Sequence, residues 1–389
     1  MRVRLDSSLT DDAGWTTPLS TCDRVLRCEA DGVSTRIERG EIVESFGNPS
    51  AALRWLDANR SGGRWVGFLG YELGRWFEPR ATLRPHRPTR TPLFAFGQLS
   101  HSCDLTGRGR VPPASDRDPL GRSYASNFTR DAYLAAVRRC IEYIAAGDVF
   151  QINLSQRLSL PYAGNPDDLY AALLAETPAT YGGLIELGDV SVVSNSPELF
   201  LRVTPDRRAL TRPIKGTRPN QPGMLEELHD SAKDAAELNM IVDLERNDLG
   251  RVCETGSVVV SQPRAIEEHP SVLHGVATIE GNLRDGVGLL DVLAATFPSG
   301  SVTGAPKIRA MQIIDELEPD ARGVYCGAVG HLDPDGSMQF NVAIRTATLA
   351  NGVLEIPVGG GIVADSDPAA EFDETLVKAA ALLAAAGAG

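Results

Sequence analysis

The sequence predicts an α+β fold, on two observations. Strand-like runs follow one another with only a few long helical segments between them, not in regular strand–helix alternation. One run, Asp148-Val-Phe-Gln-Ile-Asn-Leu-Ser-Gln156, alternates Phe150, Ile152 and Leu154 with Gln151, Asn153 and Ser155, the period of a strand with one apolar and one polar face. At 389 residues the chain has room for two or three average domains or one large layered one. Its 42% hydrophobic and 23% charged residues are the composition of a folded protein.

Along the chain, Trp65-Val-Gly-Phe-Leu-Gly-Tyr71 reads as a buried strand interrupted by glycine. The Pro- and Arg-rich stretch Glu78–Pro92 and the stretch from about Ser100 to Ser126 read as irregular surface connections. From Arg130, Tyr133, Leu134, Val137, Ile141 and Ile144 sit at helical spacing, with Gly147 as the stop. Taken alone, the polar face of the strand after it is more plainly solvent-facing than cavity-lining. Further strands are expected at Gly183–Leu187, Val190–Ser194, Leu199–Val203, Val258–Ser261, Ala328–Leu332, Phe340–Leu349 and Val353–Val358. Helices are expected from Ser231 to Asp248, with Asp234 as a capping-box-like partner and Gly250 as terminator, from Ala305 to Leu317, and from about Pro368 to Ala386.

The net charge is −13 with no basic block, which argues against nucleic-acid and anionic-membrane partners. No apolar run reaches the ~20 residues of a membrane span, and MRVRLDSSLTDD has no apolar core of a signal peptide. The cysteines Cys22, Cys28, Cys103, Cys140, Cys253 and Cys326 form no CxxC pair and read as small buried hydrophobes of a cytoplasmic protein. An acidic chain repels anionic substrates, so an anion site would need local positive charge.

Several segments break local rules, as functional sites do. Lys215, in a loop between strands between Ile214 and Gly216, is either a surface lysine or a desolvated amine fit to act as nucleophile or base. Glu198, between Pro197 and Leu199, is either a strand-edge residue or a buried acid with raised pKa. Glu237 shares a helix face with Lys233 and Ile241, beside the apolar run Leu238–Val242, where a carboxylate needs a partner or a metal. Glu371, Glu374 and Lys378, three and four apart, make a plain solvated salt-bridge face when read alone. Pro298-Ser-Gly-Ser-Val-Thr-Gly-Ala-Pro-Lys307 runs into a helix N-terminus that favours an anion but lacks the Walker spacing, and Gly359-Gly360-Gly361 allows close backbone approach to a ligand.

Taken together, PIKGTRP, ELNMIVDLERNDLGRV, FPSGSVTGAPK, a glycine-rich turn before IVADSDP, and EFDET closely resemble the chorismate-utilising enzymes. That family includes component I of anthranilate synthase and of aminodeoxychorismate synthase, and the isochorismate and salicylate synthases. The resemblance is dense over roughly residues 128 to 385 and loose before, through GFLGYEL. It implies the anthranilate synthase component I-like fold, two packed antiparallel β-sheets with flanking helices. It also implies a shortened N-terminal portion, 1–125, integrated with a chorismate-binding catalytic region, 126–389.

Isochorismate- and salicylate-forming members carry a lysine where this chain has Gln151. Anthranilate synthases usually read PIAGT where this chain reads PIKGT. The sequence therefore most resembles the aminodeoxychorismate synthases of the para-aminobenzoate branch towards folate, with anthranilate synthase component I or another aminating relative as the alternative. A non-catalytic glutaminase-binding paralogue is disfavoured because Lys215, Glu198, Glu237 and Glu374 are all present.

The resemblance implies roles for these residues. Lys215 would be the nucleophile, Glu198 the general acid and His274 the active-site histidine. Gly216, Thr217, Tyr325, Arg345, Gly359, Gly360, Gly361 and Lys378 would bind substrate. Mg²⁺ would be held by Glu237 and Glu374 with Glu371 assisting. No Gly-x-Cys-x-Gly elbow is present, so a separate glutamine amidotransferase subunit, or free ammonia, would supply the nitrogen.

Overall fold

The computed structural model describes residues 1–8, 14–81, 84, 89–99 and 123–388. Most of the expected connection from 100 to 126, part of the Pro- and Arg-rich stretch and Cys103 lie outside the described residues.

Two large antiparallel sheets make up the molecule, with helices outside them, as the fold class predicts. One sheet has the central order Val353–Ile362, Thr346–Ala350, Val190–Ser196, Tyr181–Glu186 and Arg2–Asp6, with Gln151–Pro161 beside Val353–Ile362. The other runs Ile214–Pro219, Val272–Asn282, Arg208–Arg212, Leu199–Val203, Met338–Asn341, Ala328–Leu332 and Trp65–Leu69, and continues into the N-terminal strands. Strands from the first hundred residues thus extend both sheets. Leu5, Ile185 and Val192 of the first sheet pack against Val66, Phe68 and Val329 of the second, nearly all fully buried. Each such side chain contributes roughly 1.5–3 kcal/mol.

The helices cover the outer faces. Arg130–Ala145 and Ala232–Gly250 start where expected, capped by Thr129 and Ser231, whose hydroxyls accept from Ala132 N and Asp234 N. Gly250 falls inside the second helix, and Arg251 is its C-cap. Lys307–Leu317 follows Pro306, and Pro368–Ala385 packs on the first sheet through Ala379, Leu382 and Leu383.

Three expectations are corrected. The polar face of Gln151–Pro161 is buried: Gln151, Asn153 and Ser155 are 0%, 6% and 5% exposed, while Phe150 before the strand is 68% exposed. Lys215 lies in the strand Ile214–Pro219, not in a loop. A bulge there carries Gly216 at φ +82°, where a Cβ would sit 2.7 Å from Leu228 Cδ1. The stretch Phe340–Leu349 is not one strand: Met338–Asn341 belongs to one sheet and Thr346–Ala350 to the other.

That last break has a counterpart. The chain also changes sheet between Val190–Ser196 and Leu199–Val203, at Pro197 and Glu198. The two crossovers lie side by side and are bonded to each other. Val342 N donates to Glu198 O (3.0 Å) and Asn195 N to Arg345 O (3.1 Å). The Ser196 hydroxyl donates to Val342 O (2.6 Å), and the Ser194 and Thr346 hydroxyls are 2.8 Å apart. Arg345 turns there at φ +47°, a left-handed conformation uncommon for arginine.

Candidate active site

The seam between the sheets presents Glu198, 4% exposed. Burial pushes its carboxyl up to about 7, against a Ser301 hydrogen bond and the nearby Lys215 charge that pull it down. Its Oε1 has no partner among the described residues. The group is thus an acid held close to neutrality with one oxygen free.

Lys215 reaches the same space from the bulged strand, and its Nζ donates to Ser301 O at 3.3 Å. Desolvation lowers its pKa, opposed by the charges of Glu237, Glu198 and Glu374 and reinforced by Lys378. A lysine with a weakened hold on its proton offers the free amine that a nucleophile requires.

The glycines Gly359, Gly360 and Gly361, expected in a turn, lie instead in the strand Val353–Ile362, paired with Asn153–Ser155, and form the floor. A Cβ on Gly361 would sit 2.7 Å from Gln151 Nε2 and 3.5 Å from Lys215 Nζ. On Gly360 it would approach Glu371 Oε2 (3.2 Å), Glu374 Oε1 (3.7 Å) and Lys378 Nζ (3.8 Å). The Gly359 carbonyl accepts from Lys378 Nζ at 3.0 Å. Gln151 is fully buried here with both amide atoms unpartnered among the described residues. Such a group normally finds a bond, so this amide is free to meet a ligand.

Carboxylates from two helices form the opposite side. Glu237 has its pKa raised by burial, with Glu374 adding repulsion. Glu371 is buried, accepts from Ser366 Oγ at 2.6 Å, and is likewise raised by burial and by Glu374. Glu374 and Lys378 are both about half exposed and pair at 2.6 Å. The expected salt-bridge face is therefore real for this pair, while Glu371 turns inward. Among the described residues, no three His, Cys, Asp or Glu side chains converge into a ready metal cluster.

Mg²⁺ nevertheless fits this donor set. The oxygens are hard, Glu237 and Glu371 are pushed towards protonation by burial and by the charge of Glu374, and the bare Gly360 Cα leaves room beside Glu371 and Glu374. Mg²⁺ commonly takes one or two carboxylates and completes its shell with water and substrate.

The remaining expected residues divide. His274 is buried, meets Thr217 Oγ1 through Nδ1 at 2.9 Å, and is pushed down to about 3 by burial, Arg345 and His269, so it is neutral. Burial alone lowers Arg345, with no carboxylate among the described residues raising it back. That is the state of a guanidinium suited to an incoming anion. Tyr325 is buried, with Cys326, Arg322 and Glu318 around it. Sequence reasoning missed Ser301, which touches both Lys215 and Glu198, and Glu245, a buried acid on the Ala232–Gly250 helix. Glu245 was detectable as a charge in register with the apolar stripe Leu238, Ile241, Val242 and Leu249.

Comparison with known proteins bears on this arrangement. A family model described as chorismate binding enzyme matches residues 9–384. Anthranilate synthase component 1 of Thermus thermophilus is 42% identical over 82% of this chain and 76% of its own length. The protein of the same name from Pseudomonas aeruginosa is 46% identical over 95% and 85%. Among solved structures, anthranilate synthase component I from Streptococcus pneumoniae superposes with a TM-score of 0.80 at 28% identity, covering 98% of this chain and 92% of that one.

Proposed function

The chain belongs to the family of chorismate-binding enzymes, and from that premise we propose that it aminates chorismate, with Lys215 as a covalent catalyst that directs nitrogen to C4. The observation that carries this reading is the Lys215 amine, desolvated and set among Glu198, Gln151 and the glycine floor. The free amine attacks ring C2, the double bonds shift, and the C4 hydroxyl leaves as water with the proton of Glu198. Ammonia then attacks C4, the double bonds shift back, and the lysine leaves. The product is 4-amino-4-deoxychorismate, as for the aminodeoxychorismate synthases towards para-aminobenzoate and folate. Two allylic displacements replace one difficult direct substitution.

The arrangement supports each part. Glu198 at about 7 is an acid matched to neutral pH, worth roughly 10²–10⁴-fold. Arg345 supplies the positive charge that a dianionic substrate needs. Mg²⁺ held by Glu237 and Glu374, with Glu371 beside them, would neutralise a substrate carboxylate. Gln151 in place of a lysine leaves no base to activate water, which supports nitrogen over water as the incoming nucleophile. A separate glutamine amidotransferase subunit is the proposed ammonia source, and residues 1–125 are proposed as an integrated part of the catalytic unit.

The names of the relatives favour the alternative more directly. They are anthranilate synthase component 1, in which nitrogen would end at C2. The two readings share the attack at C2 and the loss of the C4 hydroxyl, and differ in which nitrogen attacks. Incubation with chorismate, Mg²⁺ and ammonium, followed by product identification, separates them. The 4-amino product is expected, anthranilate would replace this reading with the alternative, and isochorismate would reject amination.

A further inference from the structure

The general-acid role of Glu198 leaves a proton to account for. Lysine attack with departure of water leaves an ammonium adduct, and ammonia then displaces a neutral lysine to give an ammonium product. One proton is thus consumed at Glu198 in each turnover. Glu198 is buried, and Lys215, its nearest cation, must be unprotonated to react.

A second buried acid is connected to it. Glu245, 5% exposed, is held by two hydroxyls: Thr211 Oγ1 donates to its Oε2 at 2.7 Å and Ser299 Oγ to its Oε1 at 3.1 Å. Ser299 Oγ lies 2.9 Å from Ser301 Oγ, and the Ser301 side chain bonds the Glu198 carboxyl. Each hydroxyl can accept while it donates, and when Glu245 carries the proton the hydroxyls turn so that Glu245 donates to Ser299, Ser299 to Ser301 and Ser301 to Glu198, a continuous chain from one carboxyl to the other. Among the described residues, Glu245 has no ion pair that would fix it as an anion. The neighbouring Asp248 is paired instead with Lys307 at 2.5 Å. Burial pushes Glu245 up to about 8, with Glu198 and Asp248 adding to the effect. A fold needing only packing here would set an apolar residue on this stripe, because a buried acid costs free energy.

We propose that Glu245 is a positioning residue for the acid step, which holds the replacement proton and passes it to Glu198 through Ser299 and Ser301. This rests on the reading of Glu198 as the general acid. When Glu198 has given its proton to the departing hydroxyl, it takes the hydroxyl proton of Ser301. Ser301 takes that of Ser299, and Ser299 takes the carboxyl proton of Glu245. The negative charge moves to Glu245, away from the reacting ring, and a proton from solvent restores it between turnovers. The two carboxyls titrate as one coupled pair.

Two measurements test this. The rate of adduct formation with chorismate and Mg²⁺ is followed against pH, and in mixtures of H₂O and D₂O, for wild type, Glu245→Gln and Ser299→Ala. Wild type is expected to give a curved dependence on deuterium fraction, from several protons in flight. Both variants should give a linear one and move the alkaline limb by half a pH unit or more. Superimposable profiles and equally curved plots would overturn the proposal, because a merely structural Glu245 would change stability and leave both untouched. Infrared spectroscopy of the free enzyme supplies a readout independent of turnover. The protonated-carboxyl bands of Glu198 and Glu245 should titrate together in wild type and separately in Ser299→Ala, whereas independent titration in both would overturn the chain. If wild type fails to react with chorismate while the bands remain coupled, the reading of function falls and the proton chain stands.

Discussion

The two walls of the site are built on opposite plans. At the sheet seam, Glu198 is locked by backbone bonds between the crossovers, shielded from water and set before any ligand arrives. On the helices, Glu374 repels both Glu237 and Glu371, is half exposed, and has its carboxylate occupied by Lys378. The seam wall is prepared for chemistry, whereas the helix wall needs a cation and a substrate carboxylate to settle it. Preorganisation resides where hydrogen bonds are buried, and adaptability where charges face water.

The contrast predicts a graded response to substitution. Lys215→Ala removes the nucleophile, and 4-amination should fall by roughly three orders of magnitude or more, with the covalent adduct absent from intact-mass spectra. An adduct surviving at another residue would take the role from Lys215. Glu198→Gln should lower kcat by about 10²–10⁴-fold with little change in KM. It should also alter stability in a pH-dependent way. The carboxyl is raised from an unfolded value near 4.5 to about 7. Its contribution is therefore fully present below pH 4.5 and is lost as pH rises to 7. Above that, the wild-type protein bears a penalty that the amide avoids, up to roughly 3 kcal/mol. Denaturant melts at pH 4.5 and 8.5 should show the variant gaining only at the higher pH, and an equal effect at both would mean that Glu198 ionises normally.

The helix wall should respond to cation instead. Glu237→Gln should raise the Mg²⁺ concentration for half-maximal rate by about tenfold or more, the loss of one charge-assisted contact, and chelation should abolish turnover reversibly. Calorimetry showing Mg²⁺ binding unchanged by the substitution would remove Glu237 from the metal. Gly361→Ala should have the smallest effect. Its Cβ would press on Gln151 Nε2 at 2.7 Å, raising KM by roughly tenfold through overpacking of about 1–2 kcal/mol. An unchanged KM would mean that the floor yields.

Legibility in the sequence follows the same division. The helices beginning near Arg130, Ser231, Lys307 and Pro368 were readable because caps and periodicity are local, as Ser231 demonstrates, whereas Pro49–Asn59 and Pro166–Glu176 went unread. The crossover at Val342–Arg345 was not, because apolar residues continue through it and nothing local marks the change of sheet. The polar side of Gln151–Pro161 read as solvent-facing because period-2 alternation identifies a face without saying what covers it. Lys215 and Glu198 stood out only as residues against their surroundings, and motif resemblance turned that oddness into roles. Glu245 escaped because its partners, Thr211 and Ser299, lie 34 and 54 positions away.

The paired crossovers also have a mechanical meaning. Because Glu198 and Arg345 each sit where the chain steps between layers, sliding one sheet over the other would alter their separation, and the bonds from Val342 to Ser196 and Glu198 act as rivets against such shear. Amides along this line should exchange with solvent only through global unfolding, while the last helix loosens first under heat or denaturant. The acid and the guanidinium would then keep their spacing in a protein whose outer helices have already begun to fray.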